Sequence, residues 1–220
     1  MSQSDTRPGL ADERREAGGS GNLIEHRPPQ GGLSRQQILS LYLERGGLAY
    51  DGEGVTQFQH GWQCARLARE AGAPPALQLA AWLHDLGHLM TGWEGSPTLQ
   101  GIDDTHETLG AQALVAAFGA AVAEPVALHV EAKRCLVAAQ PAYLESLSPD
   151  SVRSLALQGG PMSTKERALY MLRPHAKDAM RLRVWDDLAK QPDLWPADPA
   201  AAWVELAALM ESVGPCSPGQ

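Results

Sequence analysis

The sequence has few cysteines and no long apolar run. Its three cysteines, Cys64, Cys135 and Cys216, lie far apart and show no CxxC spacing, so we expect reduced thiols. This excludes a disulfide framework and a thiolate metal site. No apolar run approaches the roughly 18 residues of a membrane span, and the segment after Met1 lacks an apolar signal core. These absences predict a cytoplasmic protein without a membrane anchor.

The chain also lacks an excess of positive charge. It has 18 Lys and Arg against 26 Asp and Glu, a formal net charge of −8. Such a balance argues against a broad surface for nucleic acid or for acidic membranes. No obligate protein partner is evident either, so a small molecule is the expected partner.

The order of polar and apolar segments predicts one helical domain. Residues 1–33 are polar and rich in Gly and Pro, which predicts a disordered or loosely packed tail, and residues 214–220 form a short C-terminal tail. Alternation of valine and isoleucine is scarce, so we expect residues 34–213 to be all-α. Helices are expected over about 35–45, 56–71, 75–88, 103–118, 120–138, 149–157, 174–190 and 198–211, with a capping box at Ser163–Glu166 before a further helix. The segment 48–55 is too glycine-rich for regular structure.

One stretch organises the chemistry, the pair His84-Asp85 at the end of the apolar helix predicted over 75–88. Burying a carboxylate and an imidazole is costly unless both have partners. His88 would lie one turn past His84 on the same face of that helix. A metal ion would satisfy these groups, whereas a capping aspartate beside a hydrogen-bonded histidine is the simpler alternative for an isolated pair.

The other histidines favour the metal. Five of the seven lie in or beside helices between residues 60 and 129, and most of their helical neighbours are apolar. Together with His84-Asp85 and the later Asp186, they are hard to explain by packing alone. All donors would be nitrogen or oxygen, which suits iron, manganese or zinc without choosing among them.

The order of these residues resembles that of the HD-domain superfamily, metal-dependent helical bundles of which most are phosphohydrolases. Outside the ligands, the chain resembles the PhnZ-type phosphonate-degrading oxygenases, relatives of myo-inositol oxygenase, over about residues 34–190. The segments that carry this likeness are Tyr50–Glu53, Asp103–Glu107, His129–Arg134, Ser154–Met162 and Leu182–Asp187.

The resemblance implies an HD-type bundle around a dinuclear centre of two iron ions, Fe(II)/Fe(III). The implied ligands are His60, His84, Asp85 and Asp186 for one metal and Asp85, His106 and His129 for the other. Asp187 is a second candidate beside Asp186, which we prefer because it holds the motif position three residues after Arg183. The implied reaction is oxidative cleavage of the C–P bond of an α-hydroxyphosphonate by O2, which yields phosphate and a carboxylic acid.

The same resemblance suggests substrate contacts. Lys133 lies one turn after His129 and Arg183 one turn before Asp186, so both would project beside the metals and bind the phosphonate. The further donors that it implies are His88, Ser151 and Gln158.

Tyr50 and Glu53 bear on specificity. The resemblance implies that Tyr50 covers an iron and that Glu53 engages a substrate ammonium group. This favours 2-amino-1-hydroxyethylphosphonate, cleaved to glycine and phosphate, without excluding hydroxymethylphosphonate or a trimethylammonium analogue.

Two other functions would use the same ligands of the first metal. One is an HD phosphohydrolase that acts on a nucleotide or phosphoester through a metal-activated water, which a requirement for O2 would distinguish. The other is a catalytically silent metal-binding or sensory module, against which the full ligand set and the cations argue. Cys135, directly after Lys133 and Arg134, has no functional explanation in the sequence.

Overall fold

Helices make up nearly all the regular structure of the chain. The computed structural model describes residues 31–50, 52–91 and 95–214. Over these ranges the predicted all-α fold is confirmed, with one short two-stranded ladder added. In chain order the elements are α1 (Arg35–Arg45), β1 (Ala49–Tyr50), β2 (Val55–Thr56), α2 (Gln57–Glu70), α3 (Pro75–Leu83), α4 (Leu86–Thr91), a 3-10 helix (Pro97–Gln100), α5 (His106–Phe118), α6 (Ala120–Ala139), α7 (Pro141–Glu145), α8 (Pro149–Leu157), α9 (Thr164–Tyr170), α10 (Ala176–Leu188) and α11 (Pro199–Ser212).

The terminal tails fall almost entirely outside the described residues. Residues 1–30 and 215–220, which include Cys216, lie outside them, so the predictions for the tails and for the domain bounds stay predictions. Cys64 and Cys135 are buried free thiols. Cys135 packs in a small apolar cluster with Leu128 and Tyr170, which gives it a structural explanation. Among the described helices, none has both the length and the apolar character needed to cross a bilayer.

Local sequence signals set several helix starts. At α1, the Ser34 hydroxyl accepts from the Gln37 backbone N–H and the Gln37 side chain accepts from the Ser34 N–H. The predicted box at Ser163–Glu166 forms in the same way before α9. Each reciprocal pair satisfies two backbone donors that the first helical turn leaves without partners.

The core is centred on α3, whose residues Leu79, Trp82 and Leu83 are fully buried. It packs against α2, α6, α10 and α11. The Tyr42 hydroxyl donates a 2.8 Å hydrogen bond to the Trp82 carbonyl oxygen, which ties α1 to this helix. A Cβ on Gly61 of α2 would lie 2.5 Å from that carbonyl oxygen, so only glycine permits the close approach of α2 to α3.

The single helix predicted over 75–88 is wrong, because α3 ends at Leu83 and α4 begins at Leu86. The break falls on the pair His84-Asp85. It turns the chain so that α4 packs on the start of α5, where a Cβ on Gly87 would lie only 2.0 Å from the His106 carbonyl oxygen. Tertiary packing therefore overrides the continuous helical pattern of the sequence.

The absence of regular structure predicted for 48–55 is also wrong. β1 and β2 pair antiparallel, with Ala49 opposite Thr56 and Tyr50 opposite Val55. Gly52 and Gly54 have φ of 76° and 73°, a left-handed conformation that glycine adopts without strain. The glycines thus make a hairpin, and the hairpin fixes Tyr50 beside the helices. The last long helix before α11 starts at Ala176, two residues later than the predicted 174.

We predict that Gly61→Ala lowers the free energy of unfolding by about 1–3 kcal/mol, because the added methyl group forces α2 away from α3. Urea denaturation followed by circular dichroism measures this change. Gly47→Ala is the matched control, since an added Cβ there meets no described atom within 4 Å. The control should stay within about 0.5 kcal/mol of the parent. Equal stability of the two variants would contradict the close-approach argument.

Candidate metal centre and substrate cavity

The carboxylate of Asp85 lies between two groups of side chains. On one side, Asp85 Oδ2 is 3.5 Å from His60 Nε2 and 3.3 Å from His84 Nε2. Asp186 Oδ1 completes this group, 3.4 Å from His60 Nε2 and 3.8 Å from His84 Nε2. We call His60, His84, Asp85 and Asp186 the first ligand group. Its members come from α2, the turn after α3, and α10.

The other oxygen of Asp85 faces a second group. Asp85 Oδ1 lies 3.6 Å from His106 Nε2 and 3.9 Å from His129 Nε2. The two imidazole Nε2 atoms are 3.1 Å apart. We call Asp85, His106 and His129 the second ligand group. All six residues predicted as metal ligands therefore meet in one place, with Asp85 shared between the groups, while their role as ligands stays a prediction.

The outward nitrogen of each of these four histidines faces an acceptor oxygen. The Nδ1 contacts are His60 to Ala189 O (2.9 Å), His84 to Ala81 O (2.9 Å), His106 to Asp104 Oδ1 (2.8 Å) and His129 to Val126 O (2.7 Å). Since these oxygens can only accept, Nδ1 carries the proton and Nε2 of a neutral ring presents its lone pair to the centre. In two neutral rings the Nε2 lone pairs of His60 and His84 would face each other across 3.3 Å, an arrangement that requires a proton or a metal ion between them.

The carboxylates also lack partners that a metal would supply. Asp85 Oδ2 and Asp186 Oδ1 are buried, and neither accepts a hydrogen bond from any residue in the described part of the chain. An unpaired buried carboxylate oxygen is costly. Four imidazole nitrogens and two carboxylates form a donor set that suits iron, manganese or zinc. The residues present therefore fit a bound metal.

The charge of the carboxylates is visible in the imidazole pKa values. Burial opposes protonation of His84, but Asp85 and Asp186 outweigh it and raise the His84 pKa to about 10. Burial is likewise outweighed at His106, where Asp104 and Asp85 raise the pKa to about 9. The pocket thus attracts positive charge as protons or as metal, and metal binding must displace protons.

His88 lies in α4, beyond the break after α3, so the single continuous helix that we predicted to carry both His84 and His88 does not form. Its ring stacks on His106 with centroids 3.9 Å apart, and its Nε2 is 3.8 Å from Asp85 Oδ1. Asp104 Oδ2 lies 2.8 Å from His88 Nδ1, so one carboxylate holds both rings. Asp104 was not identified from the sequence, where it was one of two adjacent aspartates before His106. Only the fold shows which of them points inward.

Two buried cations lie beside the ligand groups. Lys133 is 2% exposed, and its Nζ donates to Ser154 Oγ at 2.7 Å. Burial and the nearby Arg183 lower the Lys133 pKa to about 7. Arg183 Nη1 is 2.7 Å from Asp186 Oδ2, and its Nη2 donates to Ser151 Oγ at 3.1 Å. Both cations are therefore fixed by protein partners.

Asp187 lies apart from both ligand groups. Its carboxylate pairs with the Arg183 guanidinium and accepts from the Tyr143 hydroxyl. The neighbouring Asp186 is the one that contacts the histidines, and it stays the predicted ligand.

The hairpin closes the other side of the site. The Tyr50 ring stacks on His60, with centroids 4.2 Å apart and an interplanar angle of 13°. Glu53 accepts a hydrogen bond from the Ser148 hydroxyl and pairs with Lys190, whose Nζ is 3.0 Å from Glu53 Oε1. Lys190 follows α10 directly and carried no sequence signal, since a lone lysine at a helix end is ordinary.

A cavity of about 460 Å³ connects these parts, a volume that suits a small molecule. Its walls include the predicted substrate residues and part of the ligand groups. The functional side chains that line it are Tyr50, Glu53, Asp85, His88, His106, His129, Lys133, Ser151, Gln158, Arg183, Asp186 and Lys190. Gln158 Oε1 is buried there without a hydrogen-bond partner among the described residues, so it is available to a ligand.

Known proteins resemble the chain over most of its length. It is 40% identical over 175 residues to the hydroxymethylphosphonate dioxygenase of Gimesia maris, which covers 79% of this chain and 87% of that protein. It is 34% identical over 177 residues to the glycine-betaine-forming [1-hydroxy-2-(trimethylamino)ethyl]phosphonate dioxygenase of Leisingera caerulea, covering 78% and 90%. An uncharacterized protein of Acanthamoeba polyphaga mimivirus is 35% identical over 159 residues, covering 70% and 71%. No protein-family model matches the chain.

We predict that Asp104→Asn weakens metal binding by about 10–100-fold, because the amide cannot hold His88 and His106 with a negative charge. Anaerobic titration of the metal-free protein with Fe(II) measures the affinity. Asp103→Asn changes the adjacent, exposed aspartate in the same way and should leave the affinity unchanged. An equal loss of Fe(II) affinity in both variants would mean that the Asp104 carboxylate does not support the metal site.

Proposed function

The chain belongs to the PhnZ-like phosphonate dioxygenases, and we propose that its substrate is an α-hydroxyphosphonate whose C–P bond it cleaves with O2. One relative is named for hydroxymethylphosphonate and another for a substrate with a trimethylamino group. The names of these relatives therefore support cleavage of the C–P bond. They do not determine which substituent the hydroxyphosphonate carries. The observation that carries the proposal is a single cavity in which the Asp85-centred cluster lies beside the buried cations Lys133 and Arg183.

The reaction balances with one O2 and no other reductant. A compound R–CH(OH)–PO3H2 plus O2 gives R–COOH plus H3PO4. The C–P and C1–H bonds break, the carbon is oxidised from the alcohol level to the acid, and O2 is fully reduced. Each product holds one more oxygen atom than the substrate fragment from which it is formed.

The metal that the site binds is proposed to be iron, as two ions in the Fe(II)/Fe(III) state. The first ligand group would hold one ion and the second ligand group the other, with Asp85 between them. The inward lone pairs of both groups and the unpaired oxygens of Asp85 and Asp186 support this count. Bound iron would supply Lewis acidity toward the substrate oxygens and electron exchange with O2.

The phosphonate would bind at the cationic wall of the cavity. Lys133 and Arg183 supply positive charge, and the Ser151 hydroxyl lies 3.1 Å from Arg183 Nη2, where it can donate to a phosphonate oxygen. A dianion beside Lys133 would restore the charged form that burial disfavours. Gln158 would add a further donor through its side-chain amide N–H. Because these side chains are already held in place, little side-chain ordering remains to be done on binding.

Tyr50 and His88 would position the reactants. The Tyr50 ring covers His60, and burial with the nearby Asp85 keeps the pKa of its phenol well above the usual value, so it stays a neutral hydrogen-bond donor. His88 is held at Nδ1 by Asp104, which leaves Nε2 to face the cavity. We assign it a hydrogen bond to the substrate.

Hydrolysis of a phosphoester is the competing function, since it could use the same first ligand group and a metal-activated water. The two named relatives favour the dioxygenase. An aminated substrate was predicted from Glu53, but Lys190 and Ser148 already engage that carboxylate, which counts against an ammonium group binding there.

We predict that anaerobically iron-loaded protein, given an α-hydroxyphosphonate and O2, consumes O2 and releases phosphate in equal amounts. An oxygen electrode and a phosphate assay on the same reaction measure both. Hydroxymethylphosphonate and 2-amino-1-hydroxyethylphosphonate are tested side by side. Phosphate release from phosphoesters that continues without O2 would overturn the proposal and leave a hydrolase.

We predict that the two ligand groups lose metal separately. Elemental analysis should find two irons per chain in the parent protein and one in His129→Ala, which removes a ligand of the second group alone. His175→Ala is the matched control, because the His175 side chain contacts Asp178 and belongs to neither ligand group, so this variant should keep both ions. A single iron in the parent protein would contradict the dinuclear assignment.

A further inference from the structure

A cation of the protein itself occupies the place predicted for a substrate ammonium group. Lys190 Nζ lies 3.0 Å from Glu53 Oε1, 3.5 Å from Ser151 Oγ and 5.5 Å from the centroid of the Tyr50 ring. A carboxylate, a hydroxyl and an aromatic face are the groups that recognise an ammonium ion. Here they already surround one.

The pair is shielded enough for its charges to cancel. The side chains of Glu53 and Lys190 are 10% and 11% exposed, so solvent screens them weakly. The Ser148 hydroxyl donates to the same Glu53 oxygen, which fixes the carboxylate further. A ligand entering the cavity therefore meets a neutral pair where Glu53 alone would present a negative charge.

A cationic substituent would meet a second obstacle in the same place. To reach Glu53 it must either displace Lys190 from a hydrogen-bonded position or remain beside another positive charge. A substrate whose carbon chain is uncharged avoids both costs.

We propose that Lys190 is a specificity-determining residue that neutralises Glu53 and so directs the enzyme to hydroxyphosphonates without a cationic substituent, such as hydroxymethylphosphonate. This inference rests on the proposed function. It revises the preference for an aminated substrate drawn from the sequence, because that preference considered Glu53 without its partner.

The test compares two substrates in the iron-loaded protein. The parent enzyme should show a kcat/KM for hydroxymethylphosphonate at least about tenfold above that for 2-amino-1-hydroxyethylphosphonate, the effect of one charge-assisted contact. Lys190→Ala frees Glu53 and should raise the ratio of aminated to hydroxymethyl kcat/KM by about tenfold or more. Anaerobic calorimetry of substrate binding provides a second measure that does not depend on turnover.

Three variants separate charge from other effects. Lys190→Arg keeps the positive charge and should keep the parent ratio. The double variant Lys190→Ala/Glu53→Gln removes both charges and should lose the gain of the single variant, which isolates the coupling between the two side chains. Lys177→Ala, an exposed lysine at the start of α10, should leave the ratio unchanged.

The outcomes distinguish this inference from the proposed function. A parent enzyme that prefers the aminated substrate overturns the role of Lys190 while the dioxygenase stands. The same conclusion follows if Lys190→Ala lowers kcat/KM for both substrates equally, since Lys190 would then bind the phosphonate group that both substrates share. Absence of O2-dependent phosphate release from both substrates would instead overturn the proposed function.

Discussion

The site depends on one electrostatic constraint, the convergence of four imidazole lone pairs on a shared carboxylate. An acceptor oxygen contacts the Nδ1 atom of each imidazole on its outer side. These contacts orient the rings so that their Nε2 atoms face inward. Pairs of them approach to 3.3 and 3.1 Å around Asp85. Two neutral rings cannot hydrogen-bond to one another in this arrangement, so each pair needs a proton or a metal ion between its Nε2 atoms. A metal ion would also supply the partners that Asp85 Oδ2 and Asp186 Oδ1 lack among the described residues.

The fold serves this constraint by bringing distant helices close to α3. Gly61 lets α2 approach the end of α3, which carries His60 to His84. The break after Leu83 then redirects the chain, and Gly87 allows α4 to touch the backbone of His106. The interruption is therefore part of how the site is built.

Cations are held in place around the cavity, although the chain as a whole carries −8. Lys133 is held by Ser154, Arg183 by Asp187, and Lys190 by Glu53. Fixed cations can receive a phosphonate without reorganising, which favours binding of a small dianion. The Glu53–Lys190 pair adds a balanced charge to the cavity wall, and in our proposal this one neighbouring charge changes what the carboxylate recognises.

The sequence by itself determined the all-α class and the capping box at Ser163–Glu166, because these follow from local periodicity and local hydrogen bonding. The order of residues along the chain, through its resemblance to HD-domain proteins, indicated the six histidines and aspartates that cluster. It also indicated Lys133 and Arg183, each one helical turn from a cluster residue. The break at His84-Asp85, the inward choice of Asp104 over Asp103 and the pairing of Lys190 with Glu53 were decided by tertiary structure alone. Lys190 and Glu53 are 137 residues apart, and no local pattern records a contact made only when α10 packs beside the hairpin.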